Sequence, residues 1–261
     1  MIMTEDIRSI AGKTAIVTGA ASGMGCATAR LFAQQGAKVA LTDLDQAACD
    51  RAAEAIRAEG ARGEVLPLAF NVADHEAIRR VIAEVANRLG GIDIIVNNAG
   101  IVGFASIDDP ENYEKQWQRC IDVMITPHQR IIREALPHLR RSEAARIVNI
   151  ASTEGLGATP GDSPYVAVKH AVVGLTRALA VDLGPEGITV NCICPGAIHT
   201  GMTDDIPDGK KETFARRRVA LRRYGRPEEV AQMTLSLVLP AASYLTGAVI
   251  PVDGGLTIRN A

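Results

Sequence analysis

The segment Thr14-Ala15-Ile16-Val17-Thr18-Gly19-Ala20-Ala21-Ser22-Gly23-Met24-Gly25 sets the architecture. A short apolar run with a strand's composition enters a turn with glycine at 19, 23 and 25, and an amphipathic helical pattern follows over about 24–35. Glycines in such a turn allow a tight bend, a close approach of backbone to a pyrophosphate, and close packing of helix on strand. The helix behind the turn presents free amides and a partial positive charge to an anion. A glycine-rich turn is weak evidence taken alone; its place between a first strand and a first helix gives it weight.

The same alternation continues along the chain. Strand-length apolar runs lie at 37–42, 65–70, 92–97, 146–151, 188–194 and 247–252, and helical patterns at about 45–59, 74–89, 111–137, 164–183 and 227–239. Runs that are apolar on both faces belong to buried parallel strands. The pattern predicts an α/β fold: a Rossmann-like, doubly wound parallel sheet of about seven strands, with helices on both faces and right-handed crossovers. Ligands of such sheets bind beyond the carboxyl ends of the strands, at the switch point. The residues just after each strand are therefore the informative ones.

Composition bounds the rest. The chain has 261 residues, 47% hydrophobic and 22% charged, with no linker-like tract. It reads as a single domain over 1–261, long enough to bury about three quarters of its unfolded surface. A formal charge of −2 offers no field that would recruit nucleic acid or an anionic membrane. Glu5, Asp6 and Arg8 near the start argue against a signal peptide, and no run of about 18 apolar residues predicts a membrane span. Cys26, Cys49, Cys120, Cys192 and Cys194 are scattered, without zinc spacing. They read as reduced structural thiols in a cytoplasmic protein with no metal site.

Two places carry chemistry. Asp43 ends the second strand-like run, where a carboxylate can accept hydrogen bonds from adenosine ribose hydroxyls and repel a 2′-phosphate, which predicts NAD as the cofactor. Tyr165-Val166-Ala167-Val168-Lys169 places a phenol and an ammonium on one face of a helix. A free tyrosine, with a pKa of about 10, is a poor base at neutral pH. A nearby ammonium and a cationic nicotinamide would stabilise phenolate and lower that value, which predicts that Tyr165 exchanges a proton with an alcohol or carbonyl oxygen.

The glycine spacing G-x-x-x-G-x-G, followed in order by Asn97-Asn98-Ala99-Gly100, Ser152, the Tyr165–Lys169 motif and Pro195-Gly196-Ala197-Ile198-His199-Thr200, resembles the short-chain dehydrogenase/reductase family. The likeness runs from about residue 10 to about residue 256. It implies hydride transfer between nicotinamide and a small-molecule secondary alcohol or ketone. It also implies that Ser152 holds and polarises the substrate oxygen, that Tyr165 is the general acid/base, and that Lys169 also binds the nicotinamide ribose. The cofactor would lie against Gly19, Ser22, Met24, Gly25, Asp43, Asn71, Val72, Asn98, Gly100, Tyr165, Lys169, Pro195, Ile198 and Thr200. Of these, Ile198 and Thr200 would hold the carboxamide; Asn97 would be structural. Where NADP-preferring relatives place a basic residue, this chain has Ser22 and Leu44; where the family has Asp-Val, it has Asn71-Val72. By the same resemblance, a segment near 200–226 caps the substrate, and Met202, Ile206, Phe104, Leu156 and Glu154 line its pocket. The run from Tyr244 to Gly255 resembles the last strand and tail through which relatives form homo-oligomers, a tetramer or a dimer.

The chain departs from the family at Asp122-Val123-Met124, where relatives carry a catalytic asparagine whose main-chain carbonyl holds a water of the proton relay. Pro127 lacks an N–H and crowds the carbonyl of Val123, so the helix should kink and free a carbonyl for that water. The competing consequence is a weakened site, hence an NAD-binding protein with little activity. Lys210, Lys211, Arg216, Arg217, Arg218, Arg222, Arg223 and Arg226 against the lone acid Glu212 would suit a 3-oxoacyl or 3-hydroxyacyl reductase working on CoA or acyl-carrier esters. A solvated helix face is the commoner meaning of such a run. His199 reads as a loop residue, and His170 should face away from the pocket, because adjacent helical positions do not share a face.

Overall fold

A computed structural model describes residues 7–259. Glu5 and Asp6, on which the reading of the N-terminus leans, lie outside the described residues. The strands are β1 (Thr14–Thr18), β2 (Lys38–Asp43), β3 (Val65–Ala69), β4 (Ile94–Asn97), β5 (Arg146–Ile150), β6 (Thr189–Pro195) and β7 (Val249–Val252). They form one parallel sheet in the order β3-β2-β1-β4-β5-β6-β7. The anticipated seven-stranded, doubly wound sheet is thus present, with strand ends shifted by about two residues at most, within the usual fraying of such boundaries.

The helices are α1 (Gly23–Gln34), α2 (Gln46–Ala58), α3 (His75–Leu89), α4 (Pro110–Met124), α5 (Thr126–Leu139), α6 (Ser163–Leu183), α7 (Asp208–Arg218) and α8 (Pro227–Val238). Strand side chains alternate between faces. Ala15 and Val17 of β1 therefore join a core with Phe32 of α1, Ile56 of α2 and Val230 of α8. Ile16 points the other way, into a core with Ile78 of α3, Ile131 of α5 and Leu183 of α6. Local chemistry fixes the helix starts: Asp45, Asp74 and Asp109 cap α2, α3 and α4 by accepting from first-turn amides.

Two elements differ from the sequence pattern. The helix expected over 111–137 is two helices, broken at Ile125 (φ −125°, ψ −48°). The expected kink at Pro127 is therefore a complete interruption, while Pro137 is accommodated inside α5. The basic run divides into α7 and a loop over 219–226. The twelve-residue stretch after Pro207 has too few apolar positions for periodicity to reveal a helix; only Lys211 and Ala215 of α7 are buried.

Phe32 is completely buried between α1 and the sheet. Replacing it with alanine should cost about 3–5 kcal/mol, read as a lowered denaturant midpoint in equilibrium unfolding.

Candidate active site

Strand order reverses between β1 and β4, and the chain there is tied together by polar contacts. The Asn98 amide donates to the carbonyls of Thr18 (2.8 Å) and Gly19 (3.0 Å). The Thr18 hydroxyl oxygen accepts from the amides of Asn98 and Ala99, both at 3.0 Å. Gly19 (φ +62°) and Gly23 (φ +54°) adopt the left-handed conformation that favours glycine. At Gly25 a Cβ would lie 2.1 Å from the Gly19 carbonyl oxygen, so no side chain fits. Asn97 is buried and donates to Asn149 Oδ1 at 2.9 Å, which places it in the frame rather than the crevice.

A cavity of about 850 Å³ opens above this turn, lined by Gly19, Ser22, Met24, Asp43, Asn71, Val72, Asn98, Gly100 and Thr200. Asp43 Oδ2 accepts from the Ala21 amide at 3.0 Å and Oδ1 from the Leu44 amide at 2.7 Å. The carboxylate is thereby fixed at the rim with lone pairs to spare. The size of the cavity, the glycine turn at the N-terminus of α1 and an acid at the end of β2 suit a dinucleotide. Gly25 is not a lining residue; it permits the close approach behind the lining.

A second cavity of about 460 Å³ shares Met24, Thr200 and Met202 with the first. Ser152, Tyr165, Pro195 and Ile198 line it, as do Phe104, Glu154 and Ile206. Leu156, expected here, is instead 41% exposed and takes no part in the lining. Ser152 caps the 3-10 turn Thr153–Gly155, its hydroxyl oxygen accepting from the Glu154 amide at 3.1 Å. Lys169 stands behind the wall, 3% exposed, donating to the Ile150 carbonyl at 3.1 Å, with Nζ 5.3 Å from the centre of the Tyr165 ring. Gly155 makes this placement workable: a Cβ there would lie 2.8 Å from the Lys169 carbonyl oxygen.

The electrostatics correct one expectation. Burial pushes the Tyr165 phenol up to about 12; the hydrogen bond with Ser152 opposes this, while Asp162, Glu154 and Cys120 add to it. The anticipated lowering by Lys169 is not found. Burial instead brings Lys169 itself down to about 8, and its ammonium is directed at a main-chain carbonyl.

Two buried polar groups, Asp162 and His128, escaped the sequence reading, whereas Glu154 was expected at the pocket and is found there. Asp162 and Glu154 each have a buried carboxylate oxygen without a hydrogen-bond partner, and both line the second cavity. His128, in the first turn of α5, is 2% exposed with Nε2 unpartnered; burial, then the Lys169 charge, push it down to about 3. Met124 is fully buried among Cys120, Val168 and Tyr165. His170 is exposed and donates to the Val166 carbonyl at 3.0 Å, away from the cavities. His199 packs on Tyr224 with ring centres 5.1 Å apart. In the basic run, Lys211 pairs with Asp208 and Arg223 with Glu229, the latter at 2.6 Å; Arg216, Arg217 and Arg218 face solvent, and Lys210 borders the second cavity. All five cysteines are free thiols. Among the described residues, no cluster of His, Cys, Asp and Glu is placed to hold a metal, and no helix is long and apolar enough to cross a membrane.

Comparison with known proteins agrees with this geometry. Residues 19–257 match a family model described as enoyl-(acyl carrier protein) reductase. The chain is 40% identical over 247 residues to 3-oxoacyl-[acyl-carrier-protein] reductase FabG of Thermotoga maritima, covering 95% of this chain and 98% of that protein. It is likewise 40% identical over 253 residues to meso-2,3-butanediol dehydrogenase of Serratia marcescens, covering 95% and 96%. Among solved structures, a short-chain type dehydrogenase/reductase from Mycobacterium marinum superposes with a TM-score of 0.89 at 34% identity, over 97% and 99% of the two chains. L-sorbose reductase from Gluconobacter frateurii, complexed with NADPH and L-sorbose, gives 0.90 at 29% identity, over the same 97% and 99%. The chain therefore belongs to the short-chain dehydrogenase/reductase family, as an oxidoreductase that acts on alcohol and ketone groups with a nicotinamide cofactor.

Proposed function

We propose that this protein is an NAD-dependent alcohol dehydrogenase and ketoreductase for small to medium secondary alcohols, with Ser152, Tyr165 and Lys169 as its catalytic residues. The observation that carries this reading is that Ser152 and Tyr165 both line the 460 Å³ cavity, with the buried Lys169 ammonium 5.3 Å from the centre of the Tyr165 ring. When bound, the nicotinamide dinucleotide supplies the hydride acceptor or donor. The amides of the Gly19–Gly25 turn and the N-terminal end of α1 attract its phosphates, and Ile198 and Thr200 hold the carboxamide. Asp43 accepts from ribose hydroxyls and repels a 2′-phosphate, which favours NAD over NADP.

On the substrate side, Ser152 donates to the carbinol or carbonyl oxygen and polarises it. Tyr165 takes the hydroxyl proton in oxidation and returns it in reduction. Lys169 fixes the field behind the phenol and reaches the nicotinamide ribose. At the α4–α5 break, Pro127 cannot donate to the Val123 carbonyl, and that oxygen anchors the relay water which relatives hold with their asparagine. The segment over 200–226 closes over the substrate. The edge strand β7, with Tyr244 and Ile258 exposed nearby, serves assembly of a homo-oligomer, a tetramer or a dimer, in the cytoplasm. A 3-oxoacyl or 3-hydroxyacyl ester reductase is the second reading, favoured by Lys210 at the cavity.

Appearance of NADH absorbance across a panel of secondary alcohols, polyols and hydroxyacids tests the reaction. Tyr165→Phe should lower kcat by about 10²–10⁴-fold with NAD affinity preserved; NAD binding without turnover of any panel member would contradict the reading. Because burial holds the phenol protonated up to about 12, oxidation needs a proton removed and its rate should climb with pH on the alkaline side. Ketone reduction uses the protonated phenol and should lack that climb. Asp43→Ser should shift the NAD-over-NADP preference in kcat/KM toward NADP by roughly tenfold or more, on the scale of one charge-assisted contact. Met124→Asn should leave turnover at neutral pH within about a hundredfold of wild type, the low end of a general acid–base contribution.

A further inference from the structure

The proton-transfer residues leave two groups in the 460 Å³ cavity without a task. Glu154 belongs to the 3-10 turn that follows Ser152, and Asp162 is the residue before α6, one turn ahead of Tyr165. Asp162 is only 5% exposed, yet its Oδ1 meets no donor. Glu154 Oε1 accepts from the Thr159 hydroxyl at 2.8 Å, whereas Oε2 is buried and unpartnered. Buried carboxylates are ordinarily paired or hydrogen-bonded, and leaving one without a donor is destabilising.

The fold had another option for Asp162. Asp45, Asp74 and Asp109 occupy the same position before their helices and accept from first-turn amides. Asp162 accepts from none and lines the cavity instead. Neither nearby cation neutralises the pair: Lys169 is engaged by Ile150, and Lys210 is exposed on α7. Burial, reinforced by Glu154, raises Asp162 to about 6, which leaves it ionised at neutral pH. The two carboxylates also help hold the Tyr165 phenol protonated.

We propose that Glu154 and Asp162 form a subsite beside Ser152 and Tyr165 that reads a second hydrogen-bond donor on the substrate, a hydroxyl or an ammonium close to the carbinol, and turns away carboxylates and phosphates there. This rests on the proposed alcohol dehydrogenase reading of that site. A bound donor satisfies the stranded oxygens and weakens the negative field on Tyr165, so the substrate that fits also eases the loss of the phenol proton. A site built around buried acceptors discriminates strongly against analogues that lack the matching donor. An acyl thioester offers no donor near its reacting carbon, so the subsite selects against the ester-reductase reading.

Four substrates of one carbon skeleton test this with the full-length protein and saturating NAD: 2-butanol, 2,3-butanediol, 3-amino-2-butanol and 3-hydroxybutyrate. The diol or the amino alcohol should exceed 2-butanol in kcat/KM by about tenfold or more, as for a hydrogen bond to a charged group, and 3-hydroxybutyrate should fall below it. A gain with the diol identifies a hydroxyl reader; a gain with the amino alcohol identifies an ammonium reader. Asp162→Asn and Glu154→Gln should compress these ratios, and Asp162→Asn should raise Tm at pH 8, since a functional buried charge is relieved. A preference for 2-butanol over both donors, or variants that scale all four substrates equally, overturns the proposal. Ligand-induced Tm shifts separate it from its parent reading. Selective stabilisation by the diol or amino alcohol in wild type, lost in the variants, supports the subsite even if no alcohol is oxidised. Equal shifts from all four compounds overturn it.

Discussion

At Gly25 the chain of α1 comes so close to the Gly19 carbonyl that a Cβ would stand 2.1 Å from it, and much of the molecule follows from that approach. It lets α1 leave the end of β1 with its N-terminus over the crevice, and Asn98 closes the gap by donating to Thr18 and Gly19. Seated this way, α1 drives Phe32 into one core while β1 sends Ile16 into the other. The cavity above the turn is bounded by Asp43 of β2 and by Asn98 after β4, the two strands that flank β1 in the sheet. A side chain at position 25 would disturb the fold and the anion-binding end together.

The opposite wall depends on a buried charge. Lys169 donates a hydrogen bond to the Ile150 carbonyl, and burial weakens its hold on its proton. Tyr165 is shifted the other way by burial and by two carboxylates. A site so arranged stores unfavourable electrostatics that a ligand can relieve, which is the pattern expected where function has been favoured over stability. Ser152 links the halves, since it caps the turn that carries Glu154 and lines the same cavity as Tyr165.

What could be read from sequence was whatever depends on local spacing. The seven strands, the glycine turn, Asp43 at the end of β2 and the Tyr165–Lys169 pair one helical turn apart all follow from periodicity and position, and so did the disturbance at Pro127. What could not be read depends on tertiary placement. Asp162 stands immediately before its helix, as the capping residues Asp45, Asp74 and Asp109 do, and only the folded structure shows that its side chain caps nothing. His128 looks like a polar residue on an amphipathic helix until the break at Ile125 sets α5 so that it is buried. In the protein alone the Tyr165 phenol is raised rather than lowered, because spacing reveals the ammonium but neither the desolvation nor the neighbouring acids. Leu156 was placed by analogy and lies outside the cavity.

The central claim is that a carbinol hydrogen leaves as hydride for the nicotinamide while Tyr165 receives the hydroxyl proton. It is tested most directly by incubating the protein with NAD and 2,3-butanediol deuterated at the carbinol carbons, then locating the label in the NADH by mass spectrometry and NMR. The account predicts that each NADH carries one deuterium at C4 of the nicotinamide ring. NADH without deuterium, or label recovered in water, would contradict it.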